Sequence, residues 1–224
     1  PVALGDAWRS IRSMTSIASA SLVGVAYAYA PVPIATALLL SIDSSRFASA
    51  DQLYRYALFA VTALGNALQG WTLEVEGASG RRRHHAAIAL HLLLGLLGAV
   101  GIALLGPWAT QVLFGPQVAA GFALTSWYAL AFLFISASTP FLRNLLVPNG
   151  RQRTVLLATS VAALFGIIAM VFAGLHHSAA GIAAGLALSE AVIMAATVLP
   201  ALRVLRARYD VGTGAATHHG DQGR

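Results

Sequence analysis

The chain has 224 residues, 58% of them apolar and 10% charged, and its fourteen basic residues are all arginine. This balance exceeds what a soluble core of such length requires and makes a lipid bilayer the natural solvent. The lack of cysteine excludes disulfides, thiolate metal sites and thiol nucleophiles, and the lack of lysine excludes a P-loop lysine, a Schiff base and a lysine general base. The formal net charge of +6 does not make nucleic acid a partner, because the arginines bracket apolar stretches instead of interleaving with polar and aromatic residues on an open face.

A helix that crosses the hydrocarbon needs roughly 20 mostly apolar residues, since lipid gives its backbone groups no other partner. Six segments satisfy this, at about residues 18–40, 52–73, 86–106, 118–142, 154–175 and 178–202. The expected fold class is all-α: a multi-pass membrane protein with a bundle of six transmembrane helices over residues 18–204. Residues 1–17, with Arg9 and Arg12, are expected to be a cytoplasmic juxtamembrane segment. The charge-free stretch from Met14 to Leu40 exceeds the roughly 7 to 15 apolar residues of a signal-peptide core and reads as a span. Pro31 and Pro33 within it each lack an N–H and crowd the preceding turn, so a regular helix is not expected there. A packing kink and a kink lining a moving cavity are both open.

Asp43, Arg46, Asp51 and Arg55 follow as a mixed-charge connector on the outer side, either solvated surface or the rim of a cavity that meets an anionic head group. Span two carries Asn66 and Gln69 on nearly one face, and span three carries His91; each can pair with a neighbouring helix. Gly95, Gly98 and Gly101 in span three, and Gly181 and Gly185 in span six, are positions where helix backbones can approach closely. The break between spans three and four is expected at Gly106-Pro107-Trp108 and Phe114-Gly115-Pro116. Arg143, just after Pro140, is read as a topological anchor or a phosphate contact. Glu190 lies near the middle of span six, where a carboxylate costs roughly 2.5 to 3.5 kcal/mol even on a lenient scale, so it should face protein or water. Its role is open between a protonated acid bonded to another helix, a substrate contact in a cavity, and a coupling group that gains and loses a proton.

Orientation follows from the arginines, which mark the cytoplasmic side of short loops. Twelve of the fourteen fall in four groups: Arg9 and Arg12; Arg81, Arg82 and Arg83; Arg143, Arg151 and Arg153; and Arg203, Arg206, Arg208 and Arg224. Their alternation with the spans puts both ends in the cytoplasm, and Arg46 and Arg55 are the exceptions. Residues 205–224 are expected to be a disordered cytoplasmic tail. The pairs His84-His85, His176-His177 and His218-His219 diverge as neighbours on a helix and have no second ligand at metal spacing, so no metal or other cofactor is assigned. No nucleophile, base and acid arrangement is present, and the protein is not expected to be an enzyme.

Four local patterns resemble the polysaccharide (O-antigen type) flippases of the multidrug/oligosaccharidyl-lipid/polysaccharide exporter superfamily. They are Phe47-Ala-Ser-Ala-Asp-Gln-Leu-Tyr-Arg55, Val112-Leu-Phe-Gly115, Val147-Pro-Asn-Gly-Arg151, and Ala180 to Glu190 with its glycines and alanines leading to an acid. The resemblance covers residues 40 to 205. It implies a transporter of the cell membrane that moves a lipid-linked oligosaccharide or polysaccharide precursor from the cytoplasmic to the outer leaflet by alternating access. Such flippases pair two bundles of six spans. With Pro1 in place of an initiator methionine, this chain is expected to be the C-terminal half, its partner being the missing N-terminal bundle. Glu190, Asn66, Gln69, Arg46, Arg55, Asp51 and Arg143 are the candidates for substrate contact or coupling. A drug exporter of the same superfamily, a permease subunit of an ATP-driven transporter, and a membrane assembly protein without transport activity are the competing readings.

Overall fold

The computed structural model describes Gly24, residues 27–75 and residues 77–210. The segment 1–17, most of the first half of span one, Glu76, and the tail beyond residue 210 with Arg224 lie outside the described residues. All regular structure among the described residues is helical. In chain order it comprises α1 (Pro31–Leu38), α2 (Ser41–Leu73), α3 (Gly77–Phe114), a 3-10 turn (Pro116–Val118), α4 (Phe122–Pro140) continued by a π-helical turn (Phe141–Leu146), α5 (Gln152–Leu175) and α6 (Ala179–Asp210).

Four helices are long and apolar enough to cross a membrane: α3, α4 with its π turn, α5 and α6. Helix α2 has 33 residues, about 50 Å at a rise of 1.5 Å per residue, yet it does not join them. Asp43, Arg46, Asp51 and Arg55 charge its first half, and Asn66 and Gln69 interrupt its second. Helix α1 has only eight residues. The chain is helical at residues 27–29 and bends at Ala30, and Pro31 starts α1 at the position where a missing N–H costs nothing. Pro33 falls in the same first turn, and Ala30 keeps helical angles (φ −65°, ψ −34°), so the chain bends there between two helical stretches.

Several boundaries differ from those read in the sequence. Helix α2 begins at Ser41 and absorbs Asp43, Arg46, Asp51 and Arg55, which are therefore helical and not on a connector. Arg81, Arg82 and Arg83 likewise lie in the first turns of α3. Helix α3 continues through Pro107, held where Gly106 packs against Thr125 of α4: a Cβ at Gly106 would sit 2.8 Å from the Thr125 methyl. The break comes at Gly115, whose φ of 100° is closed to most side chains. Helix α6 runs to Asp210, so residues 205–210 of the expected tail are helical.

Burial separates the four apolar helices into two kinds. In their most apolar stretches 56% of α4 and 50% of α6 is buried, against 17% of α3 and 28% of α5. Helices α4 and α6 are thus central, while α3 and α5 turn leucine-rich faces outward, including Leu93, Leu97 and Leu104 on one and Leu157, Leu164 and Phe172 on the other. Water would not tolerate faces of that extent, and hydrocarbon does. One apolar core joins Phe47, Tyr54, Tyr128, Phe132, Met170 and Leu186. A second, around Phe141, Leu145, Leu205 and Tyr209, lies toward the opposite end.

Short contacts define the two ends of the bundle. At one, the Ser49 hydroxyl donates to the Val118 carbonyl at 2.6 Å, and His177 Nδ1 donates to the Leu38 carbonyl at 2.9 Å. At the other, Arg83 donates to the Trp71 carbonyl at 2.8 Å, and the His84 and Tyr209 rings stand 5.9 Å apart. The second end gathers Arg81, Arg82, Arg83, Arg151, Arg153, Arg203, Arg206 and Arg208, with Arg143 near it, and the first keeps Arg46 and Arg55.

Small residues set the central contacts. A Cβ at Gly98 would overlap the Phe132 ring, and one at Gly95 would press on Leu133 and Ser136, so α3 and α4 meet through these two glycines. Gly101 faces open space, and the expected role there is not found. Gly181 and Gly185 receive Ala173 and Met170 of α5. Gly98→Leu is expected to destabilise the protein by about 1–3 kcal/mol through overpacking, and Gly101→Leu to remain within about 0.5 kcal/mol. Thermal unfolding of the detergent-purified protein checks the pair, and equal losses would contradict this packing.

Candidate functional site

The polar residues of the first half of α2 are sorted by helical period. Asp51 and Arg55 are one turn apart, where an acid preceding a base pairs well, and the Arg55 Nε–H donates to the Asp51 carboxylate. Asp51 is buried at 2% exposure, and its other oxygen accepts from the Tyr128 hydroxyl of α4 at 3.2 Å. Phe47 and Tyr54 flank the Tyr128 ring at centroid distances of 5.7 and 5.1 Å. Arg55 also donates through Nη2 to the Ala28 carbonyl at 2.9 Å and lies 4.3 Å from the centre of the Tyr29 ring. The guanidinium is thereby fixed in place, and it borders a surface groove of 430 Å³ formed with Tyr29, Gln52, Tyr56, Phe59 and Thr62.

Glu190 enters the same region from α6. It is buried, and Tyr27 and Tyr54 lie within reach of its charge. Tyr27 donates in turn to the Leu186 carbonyl, one turn before Glu190, at 3.3 Å. Among the described residues Glu190 has no hydrogen bond or ion pair of its own. Asp51, Arg55 and Glu190, 135 or more positions apart in part, therefore belong to one tyrosine-lined cluster between α2, α4 and α6.

Asn66 lies about 16 Å further along α2, eleven residues beyond Arg55 at 1.5 Å each. Its side-chain oxygen accepts from Arg143 Nη2 at 2.8 Å. The arginine reaches it across Gly65, where a Cβ would stand 3.0 Å from the guanidinium. The π-helical turn that carries Arg143 is closed by the Val147 N–H bonding to the Leu142 carbonyl at 3.0 Å, and its extra residue rotates Arg143 toward α2. The next residue, Asn144, is 1% exposed, and neither side-chain polar atom has a hydrogen-bond partner among the described residues.

The sequence candidates thus divide. Asp51 and Arg55 are joined, with Glu190 beside them; Asn66 and Arg143 are joined. Asp43 and Arg46 form an exposed pair at 3.5 Å. Gln69 is half-buried and makes no side-chain hydrogen bond among the described residues. No hydrogen bond or ion pair among those residues links Glu190 to Asn66 or Gln69. The tyrosines at 27, 29, 54 and 128 were not singled out in the sequence, because an aromatic in an apolar helix carries no mark of which carboxylate it will meet. The turn placing Asn144 inside was equally hidden, although Pro140 just before it is a local irregularity that could have drawn notice.

Between the two pairs runs an exposed strip of α2: Gln52, Tyr56, Phe59, Thr62, Ala63 and Asn66. Its polar groups and aromatic faces suit sugar hydroxyls and ring faces, and the arginines at either end suit anionic oxygens. Comparison of the chain with protein-family models, with curated proteins and with solved structures finds no match.

Removing one partner of a buried ion pair leaves the other charge uncompensated. Arg55→Ala is expected to destabilise the protein by about 3–5 kcal/mol, whereas Asp43→Ala, in the exposed pair, changes stability by less than about 1 kcal/mol. Thermal unfolding in detergent compares them, and a harmless Arg55→Ala would show that the Asp51 cluster is not a structural unit.

Proposed function

We propose that this protein is a transporter of the cytoplasmic membrane that moves a lipid-linked oligosaccharide or polysaccharide precursor between leaflets by alternating access. In this reading the chain has six spans, α2 among them, and both ends face the cytoplasm on the side of the arginine-rich end. The observation that carries the reading is the exposed strip of α2. A helix long enough to span, set among apolar helices, presents Gln52, Thr62 and Asn66 outward with fixed arginines near both ends. Lipid disfavours such a face, and a water-filled path or a second helical bundle accommodates it.

A diphosphate-linked sugar has the complementary chemistry. Its anionic oxygens match Arg55 and Arg143, its sugar rings match the aromatic and amide groups between them, and its polyprenyl tail remains in the bilayer. In this reading Glu190, buried near Tyr54, couples the α2 face to movement of α6. A membrane assembly protein would account for the glycine packing equally well, with the polar strip set against a partner helix.

The absence of native cysteine makes single replacements clean reporters. Gln52→Cys, Thr62→Cys and Asn66→Cys are expected to react with a membrane-impermeant maleimide in intact vesicles or after permeabilisation, and Leu97→Cys and Leu164→Cys to be protected. Full protection of the α2 positions by lipid would end the transport reading. In liposomes holding the complete transporter, Glu190→Gln and Arg143→Gln are expected to slow flipping of a fluorescent polyprenyl-diphosphate sugar about tenfold, equivalent to roughly 1.4 kcal/mol each.

A further inference from the structure

We propose that the arginine-rich end of the bundle contains a specific site for an acidic phospholipid, in the groove between the start of α5 and the last turns of α6. The groove has a volume of 480 Å³ and is lined by Asn149, Arg151, Arg203, Val204, Ala207 and Arg208. Two chain segments some fifty positions apart thus contribute guanidinium groups to one concavity. Arg151 and Arg203 are exposed, and neither they nor Arg153 and Arg206 form an ion pair among the described residues. At this end the acid among the described side chains is Glu74, and it faces Arg83 at 3.5 Å. Helix α5 also begins here without a side-chain cap and without an acid in its first turn, so its free N–H groups add to the same positive field.

A soluble anion would use only the cationic half of this surface. On the face of Arg203, α6 exposes Leu199, Ala196, Ala195 and, further along, Leu188, an apolar stripe that leads away from the arginines along the helix. Anionic head group and acyl chains are therefore matched by adjoining parts of one surface, as expected of basic pockets between membrane helices on the cytoplasmic side. Arginine donates in a planar fork to phosphate oxygens, which a bilayer of zwitterionic lipid would satisfy less well than one with acidic lipid. The proposal rests on the membrane reading above and is independent of the transported substrate.

The test uses the intact chain. Carbonate extraction of membranes comes first: release of the protein would overturn the membrane reading itself. If the protein is retained, it is purified in a nonionic detergent and titrated separately with short-chain phosphatidylglycerol, short-chain phosphatidylcholine and inorganic phosphate, with binding read by native mass spectrometry and by melting temperature. Phosphatidylglycerol is expected to bind saturably and raise the melting temperature, and Arg151→Gln with Arg203→Gln to weaken it about thirtyfold. Arg153→Gln with Arg206→Gln removes the same charge outside the groove and is expected to change affinity less than about threefold by the same measure. Equal loss in the two double variants would reduce the site to diffuse electrostatics. Equal binding of phosphatidylcholine would remove the acidic preference, and saturation by inorganic phosphate at the same concentrations would reassign the groove to a soluble anion. Should the groove variant fold poorly, the three titrations of the unaltered protein still decide the matter.

Discussion

A helix surrounded by hydrocarbon has only its own turns to satisfy its backbone, and a side chain on its outer face has only lipid to touch. Helices α3 and α5 accept both conditions: most of their apolar stretch is unburied, and what they expose is leucine, isoleucine, valine and phenylalanine. This displaces the polar residues to three other places, namely the ends of the bundle, the interior, and the exposed face of α2. The remaining features of the protein follow from which of these places each polar residue occupies.

Inside such a bundle there is little hydrophobic drive between helices, so close fit and hydrogen bonding decide which helices meet. The glycines of α3 let the α4 backbone approach until Phe132 fills the space that a side chain at Gly98 would take. The hydroxyls of Ser136 and Thr125 then bond to backbone carbonyls of α3 and α4, respectively, and leave few polar atoms unsatisfied. Against this close packing, the π-helical turn after Pro140 is a deliberate irregularity. It carries Arg143, which reaches Asn66, and Asn144, which is buried.

The Asp51–Arg55 pair illustrates how burial changes the meaning of a charge. An exposed pair such as Asp43–Arg46 contributes little to stability, but a carboxylate at 2% exposure must keep its partners. Arg55 is held by the carboxylate, a carbonyl and an aromatic face, and Asp51 by the arginine and a tyrosine. The pair is therefore held in one orientation by contacts within the protein. Glu190 is the contrasting case, a buried carboxyl beside tyrosines without a bond among the described residues.

Composition and periodicity alone were enough to establish a helical, membrane-compatible chain, because bulk hydropathy is a sum over residues and needs no partner to be known. The gap at Gly115 and the packing glycines at 95, 98, 181 and 185 were legible for the same local reason. Local rules misplaced the start of α2, since its charges resemble a loop until Asp51 is seen to be covered by Tyr128. They could not join Arg143 to Asn66, or Arg151 to Arg203, since each pairing depends on how separate helices cross and on the one extra residue in the turn after Pro140. The sequence by itself determined where the chain is apolar and where its arginines lie along it. The tertiary structure decided which polar groups are buried, paired or left facing outward, because burial is a property of packing between distant segments and not of any segment alone.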